Sequence, residues 1–148
     1  MSCSSWTAPT SDECVRGHVR PAQAASAGRS RGLLENYLRE QDGLATCDLT
    51  VTELHRVGGW YDLDAGAVQD VLDRFDRIPL TAALFRQAGL LPHLPGVYLR
   101  SLDALHIVAA LDTSQAAFVT YDLGQARAAA AVGLRIVAPG RPGDWHRV

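Results

Sequence analysis

The most informative pattern of apolar and polar positions lies in the last third of the chain. The run "AAFVTYD" (Ala116 to Asp122) is short and β-prone, "LGQARAAAAVGL" (Leu123 to Leu134) is rich in alanine with Gly133 suited to the position just past a helix end, and "RIVAPG" (Arg135 to Gly140) is again β-like and stopped by Pro139 and Gly140. Strand, helix, strand at this spacing predicts a βαβ unit with parallel pairing. Upstream, "LLENYLRE" (Leu33 to Glu40) sets Leu33, Leu34, Tyr37 and Leu38 on one helical face, and "AGAVQDVLDRF" (Ala65 to Phe75) does the same with Val68, Val71, Leu72 and Phe75. Between them, "LATCDL" (Leu44 to Leu49) reads as a short strand leading into a helix over Thr50 to Val57, ended by Gly58 and Gly59. Leu91 to Arg100 holds two prolines and a glycine and reads as a connecting loop that delivers the chain to the apolar helix "SLDALHIVAA" (Ser101 to Ala110). Strands alternating with helices make the fold class α/β.

Composition narrows the function classes. With 148 residues, 47% of them hydrophobic and 20% charged, the chain has the length and apolar content of one globular domain. No apolar run approaches the roughly 18 residues of a membrane span, and the N-terminus lacks the regions of a secretory signal, so a cytoplasmic protein is expected. Cys3, Cys14 and Cys47 have no spacing that suggests a disulfide framework or zinc site and are expected to be reduced thiols. A net charge of -2 provides no broad electrostatic footprint for nucleic acid, so any polyanion would have to be held locally.

Three carboxylates hold the candidate chemistry. Asp103 falls in the first turn of its helix, Asp122 closes a parallel strand at the carboxyl edge where open α/β sheets place their sites, and Glu53 lies near the start of the helix after Leu44 to Leu49. Each has a local explanation. Ser101 would cap a helix whose dipole favours Asp103, Asp122 would cap the next helix, and Thr50 to Glu53 matches a capping box. Taken together, they start three helices that each follow a strand or loop, and all three would converge on one sheet edge. Gathered carboxylates repel unless a cation neutralises them. Mg²⁺ or Mn²⁺ would do so while leaving positions for water and a substrate phosphate, which points to metal-assisted phosphodiester hydrolysis. His106 shares the face of Asp103, within reach of this cluster or packed as a hydrogen-bonded histidine at the core margin.

At "TELHR" (Thr52 to Arg56), "RSLDALH" (Arg100 to His106), "FVTYD" (Phe118 to Asp122) and "GLRIVAPG" (Gly133 to Gly140) the chain resembles the PIN-domain ribonucleases, and the order and spacing of these runs resemble the VapC toxins of bacterial type II toxin–antitoxin systems. The likeness runs from about Leu33 to Gly140. It implies a three-layer α/β/α fold with a parallel sheet and a Mg²⁺-dependent endoribonuclease, with Mn²⁺ as an alternative ion. The implied partners are an RNA substrate, a cognate antitoxin and a second copy of the chain in a homodimer, with no membrane. Carried over by position, Glu53 and Asp103 would be metal-site acids, Asp122 would complete the cluster, and Thr120 would be a polar group behind it with His106.

The opening of the chain departs from that pattern. Family members begin with an apolar central strand that ends in an aspartate, the first metal acid, followed by a small hydroxyl residue. Met1 to Ser30 contains no such run, and Asp12 and Glu13 follow "TAPTS", which is unsuited to a buried strand. Trp6-Thr7 must be encoded TGG-ACN, which reads GAC, aspartate, one base out of phase. The expected organisation is therefore an atypical, frameshifted segment over residues 1–30 and a PIN-like domain over 31–148. The coding DNA tests this: the explanation requires an offset frame with an apolar strand, its aspartate and an open path to Leu33. Without the first strand and its acid, weak Mg²⁺ binding and impaired cleavage are expected. The alternative is a catalytically inactive PIN-like module that binds an antitoxin. A Rossmann-type nucleotide binder is disfavoured, because no glycine-rich loop joins a strand to a helix.

Overall fold

A computed structural model of the chain describes residues 32–113 and 117–147. The readings made for Met1 to Ser30, including Cys3, Cys14 and His18, lie outside those residues, as does Ala116. In chain order the described elements are α1 (residues 32–39), β1 (Ala45–Cys47), α2 (Leu49–Trp60), α3 (Ala65–Leu72), β2 (Asp76–Ile78), α4 (Ala82–Gly89), α5 (Ser101–Asp112), β3 (Phe118–Val119), α6 (Leu123–Ala131) and β4 (Ile136–Val137), followed by a 3₁₀ turn at Trp145–Arg147. The α/β class holds, and every strand pair among the described residues is parallel.

The strands form two separate pairs. β1 lies beside β2 with Ala45 opposite Asp76 and Cys47 opposite Ile78, and β3 lies beside β4 with Phe118 opposite Ile136. The predicted β3–α6–β4 unit is present, and Gly133 takes a φ of 93° just beyond α6, a left-handed geometry that favours glycine. Two elements have no counterpart in the pattern reading. β2 is three residues long with only Ile78 buried, too short for alternation to register. α4 is capped by Thr81, whose hydroxyl accepts from the Leu84 amide at 3.3 Å, and packs on α5.

α5 is the spine. Ala104, Leu105, Ile107, Val108, Ala109 and Ala110 are all buried, so the helix is apolar nearly all round, as a helix enclosed by neighbours should be. Ile107 and Ala110 join Ala128, Ala129 and Leu134 in the core beside β3 and β4, while Ala109 joins Cys47 and Ile78 in the core beside β1 and β2. Burying Ile107 completely contributes about 1.5–3 kcal/mol.

Two local expectations are corrected. The helix expected to stop at Gly58 and Gly59 continues through both to Trp60. Gly58 serves packing instead of termination: it is buried against α3, and a Cβ there would meet Val68 Cγ2 at 2.8 Å. Ser101 is the first residue of α5 and not its cap; Arg100 holds the cap position in extended backbone and makes no side-chain cap bond. Of the α3 stripe, Val68 and Leu72 are buried, Phe75 is half-buried and Val71 is exposed.

Candidate functional site

β1 ends at Cys47, and α2 begins two residues later, with Asp48 in helical backbone at the cap position and no side-chain cap bond. That start puts Glu53 in the second turn, where amides are already committed to the helix ladder. The capping box over Thr50 to Glu53 therefore does not form, and the Glu53 carboxylate turns towards α5. Its Oε2 lies 3.1 Å from His106 Nε2, while His106 Nδ1 lies 3.2 Å from Cys47 Sγ on β1. A carboxylate only accepts, so Nε2 bears the proton and donates to Glu53. Nδ1 accepts from the Cys47 thiol while the ring is neutral and donates to Cys47 Sγ once the ring is protonated. The three side chains thus form one hydrogen-bonded line across β1, α5 and α2.

This line sets the charge state of His106. Burial by itself would lower its pKa, but the hydrogen bond and field of Cys47 and those of Glu53 outweigh burial, and the net direction is upward from the ordinary 6.5. The imidazole lies at the core margin, hydrogen-bonded to Cys47 and to Glu53.

Glu53, Asp103, His106 and Cys47 all line one cavity of about 590 Å³, together with Gln125 and Arg135. Asp103 sits in the first turn of α5 and is half-buried; its carboxylate makes no hydrogen bond to another described residue. Glu53 Oε1 is likewise unengaged among the described residues. Asp122 takes another role. It caps α6, its Oδ1 accepting from the Gln125 amide at 2.8 Å, and it is not part of the cavity lining. Thr120 is buried behind it: its hydroxyl donates to Gln125 Oε1 at 2.6 Å and accepts from the Asp122 amide at 3.1 Å. Thr120 and Asp122 together hold Gln125, the residue of α6 that faces the cavity.

Among the described residues, no three of histidine, cysteine, aspartate and glutamate gather closely enough to hold a metal ion. The expected three-carboxylate centre is therefore not assembled from Glu53, Asp103 and Asp122: the first two share a cavity, and the third is engaged by its own helix. The donor chemistry still suits a hard divalent ion. Such an ion takes oxygen ligands and is commonly held by one or two carboxylates with waters completing the shell. Glu53 and Asp103 supply that set on one cavity, without an all-protein cage. Sequence reasoning misses Cys47 and Gln125 as site residues. Cys47 gives no motif signal, and only the position of Gln125 three residues after a capping aspartate marks it.

The PIN domain profile matches residues 23–131 of the chain. Two curated relatives are each named Ribonuclease VapC35, from the CDC 1551 / Oshkosh and ATCC 25618 / H37Rv strains of Mycobacterium tuberculosis. Each is 40% identical over 79 residues, which are 51% of this chain and 56% of the relative. The chain thus spans little more than half the length of the curated relatives it matches. No solved structure is a significant match. With a family match over most of its length, and parallel strands among packed helices throughout the described residues, the chain belongs to the PIN-domain family.

Proposed function

We propose that this chain is an endoribonuclease of the VapC toxin type, weakened by its incomplete acid set, in which Glu53 and Asp103 hold Mg²⁺, or Mn²⁺ in its place. The observation that carries this reading is the pair of half-buried carboxylates, from α2 and α5, facing one cavity with an oxygen of each free of protein partners. When bound, the ion would supply activation of a water and offset of charge on the phosphoryl oxygens.

The chain's own residues do the rest. His106 Nε2 donates to Glu53 Oε2 and leaves Oε1 for the cavity, which fixes the direction of the carboxylate; the Cys47 thiol in turn fixes the ring. Asp122 acts through Gln125, whose backbone it caps and whose side-chain oxygen Thr120 holds, so that the Gln125 amide group is presented to substrate. Arg135 on the cavity lining offers a local cation for an RNA phosphate, as a chain of net charge -2 requires. Residues 31–148 serve as the PIN-like unit, and the atypical first 30 residues account for the missing acid. A homodimer is supported by exposed Trp60, Tyr61 and Leu63 on and just beyond α2, and an antitoxin is the cognate regulator of the related toxins. No helix among the described residues is long and apolar enough to cross a membrane.

Cleavage of a fluorogenic RNA with and without divalent ion tests the reading. Weak cleavage that EDTA abolishes and that Asp103→Ala reduces by about 100-fold or more is expected, beyond the loss typical of an outer-shell partner. Robust cleavage unaffected by Asp103→Ala overturns it. Absence of cleavage with retained antitoxin binding favours the inactive-module reading instead.

A further inference from the structure

The loop that delivers the chain to α5 carries an aromatic side chain that the fold leaves outside its core. Tyr98 is 85% exposed and makes no hydrogen bond or ring contact with another described residue. Scattered exposed apolar residues are ordinary, so its surroundings decide what the ring can do. Tyr98 sits between the two helices that begin at the site. It shortly precedes Asp103 of α5, and its carbonyl packs on the first turn of α6, where a Cβ added to Gly124 would meet it at 3.1 Å. The next residue, Gln125, lines the cavity together with Asp103. Glycine at 124 thus lets the loop lie close against α6, beside the candidate site.

The loop also pairs that ring with a cation. Leu99 turns inward and packs on the core beside β3 and β4, and Arg100 has extended backbone with φ of -73° and ψ of 151°. Alternate residues of an extended chain share a side, so with Leu99 inward Tyr98 and Arg100 both face solvent, and both are exposed. Two residues of extended chain span about 6.6 Å. A ring and a guanidinium at that spacing suit a single nucleotide, the base stacked on the ring and the phosphate at the cation. Leu102 and Leu123 add exposed apolar surface in the first turns of the same two helices. With a net charge of -2 the chain has no broad field to hold RNA, so affinity must come from local contacts of this kind. None of Tyr98, Arg100, Leu102 and Leu123 lines the cavity, so this surface is the same whatever fills that space.

We propose that Tyr98 is a stacking platform for one unpaired base of an RNA strand, with Arg100 taking the phosphate of that nucleotide while the adjoining strand runs to Glu53 and Asp103. This role rests on the ribonuclease reading above and narrows its substrate class to RNA that is single-stranded beside the cleaved bond, because a base inside a duplex has both faces covered by its neighbours. Stacking accepts any base, since each has a π-face. Tyr98 therefore selects for an unpaired strand and not for a particular nucleotide.

The probes are a fluorescein-labelled single-stranded oligouridylate and an abasic sugar-phosphate oligomer of the same length and label, each titrated with the full chain in low salt and Mg²⁺. By anisotropy, Tyr98→Ala should weaken oligouridylate binding by about 5- to 150-fold and leave binding of the abasic oligomer unchanged. Tyr98→Phe keeps the ring and should retain the native affinity. Arg100→Ala should weaken both oligomers and flatten the salt dependence. Equal weakening of the two oligomers by Tyr98→Ala means a general disturbance of the fold and overturns the platform. So does oligouridylate binding that Tyr98→Ala leaves unchanged, or that Tyr98→Phe loses as fully as Tyr98→Ala. Each of those results leaves the ribonuclease reading standing, because the native chain still binds RNA. If the native chain binds neither oligomer, the reading and the platform fall together.

Discussion

Glu53 and Asp122 stand in equivalent places: each belongs to the helix that follows a parallel strand, and each pairs a plausible metal acid with a plausible cap. The fold separates them by position within the turn. Asp122 sits at the cap itself, where a short side chain meets the free amide of Gln125. Glu53 lies in the second turn, beyond the reach of any free amide of its own helix, so its longer side chain leaves the helix and finds His106. An acid's distance from the first free amide thus decides whether it serves its helix or the cavity.

The largest expected effect tests whether the two halves that carry these acids are coupled. α5 backs both strand pairs, so Ile107→Ala should destabilise the chain by about 2–5 kcal/mol in chemical denaturation and speed amide exchange in β1 as well as β3. Faster exchange in β3 alone would mean that the halves stand independently.

A smaller effect separates the two carboxylates directly. Asp122→Ala should cost about 1 kcal/mol of stability while Asp122→Asn retains nearly all of it, because asparagine caps as well as aspartate. Glu53→Gln should leave stability within about 0.5 kcal/mol, since the side chain is 42% exposed and the amide oxygen still accepts from His106. A larger loss for Glu53→Gln than for Asp122→Ala would reverse the comparison.

The glycines of α2 sharpen the same half of the molecule. Gly59→Ala meets open space and should stabilise by up to about 1 kcal/mol from helix propensity. At Gly58 the same gain is opposed by a contact at 2.8 Å with Val68, and overpacking of about 1–3 kcal/mol should leave that variant less stable. Thermal denaturation of the two variants should therefore move in opposite directions.

The smallest effect is in pH. The pKa of folded His106 is raised above 6.5, so its contribution to stability is fully present below that value and is lost as pH rises through the folded pKa. The difference in denaturation midpoint between the native chain and His106→Gln should therefore be greatest at acid pH and narrow towards alkaline pH. A difference that widens with pH would contradict the Cys47–His106–Glu53 line.

Much of this was legible before the structure. The β3–α6–β4 unit announced itself through β-branched residues, an alanine-rich helix and the stops at Gly133 and Pro139, all local signals. β2 and α4 did not. Three residues with one buried side chain make no period, and β2 exists only because β1 offers it a ladder. At the site, spacing marked Glu53, Asp103 and Asp122 as a set, but whether a capping acid also turns into a cavity depends on helix starts, and the start of α2 at Leu49 defeated the capping box. Cys47 became a site residue only through a contact with His106, which is 59 positions away in sequence.

Mn²⁺ binding followed by electron paramagnetic resonance tests the central claim most directly. The account predicts that Glu53→Gln and Asp103→Asn each abolish the bound-ion signal, while Asp122→Asn retains it. Loss of binding in Asp122→Asn equal to that in the other two, or binding untouched by Glu53→Gln and Asp103→Asn, would contradict it.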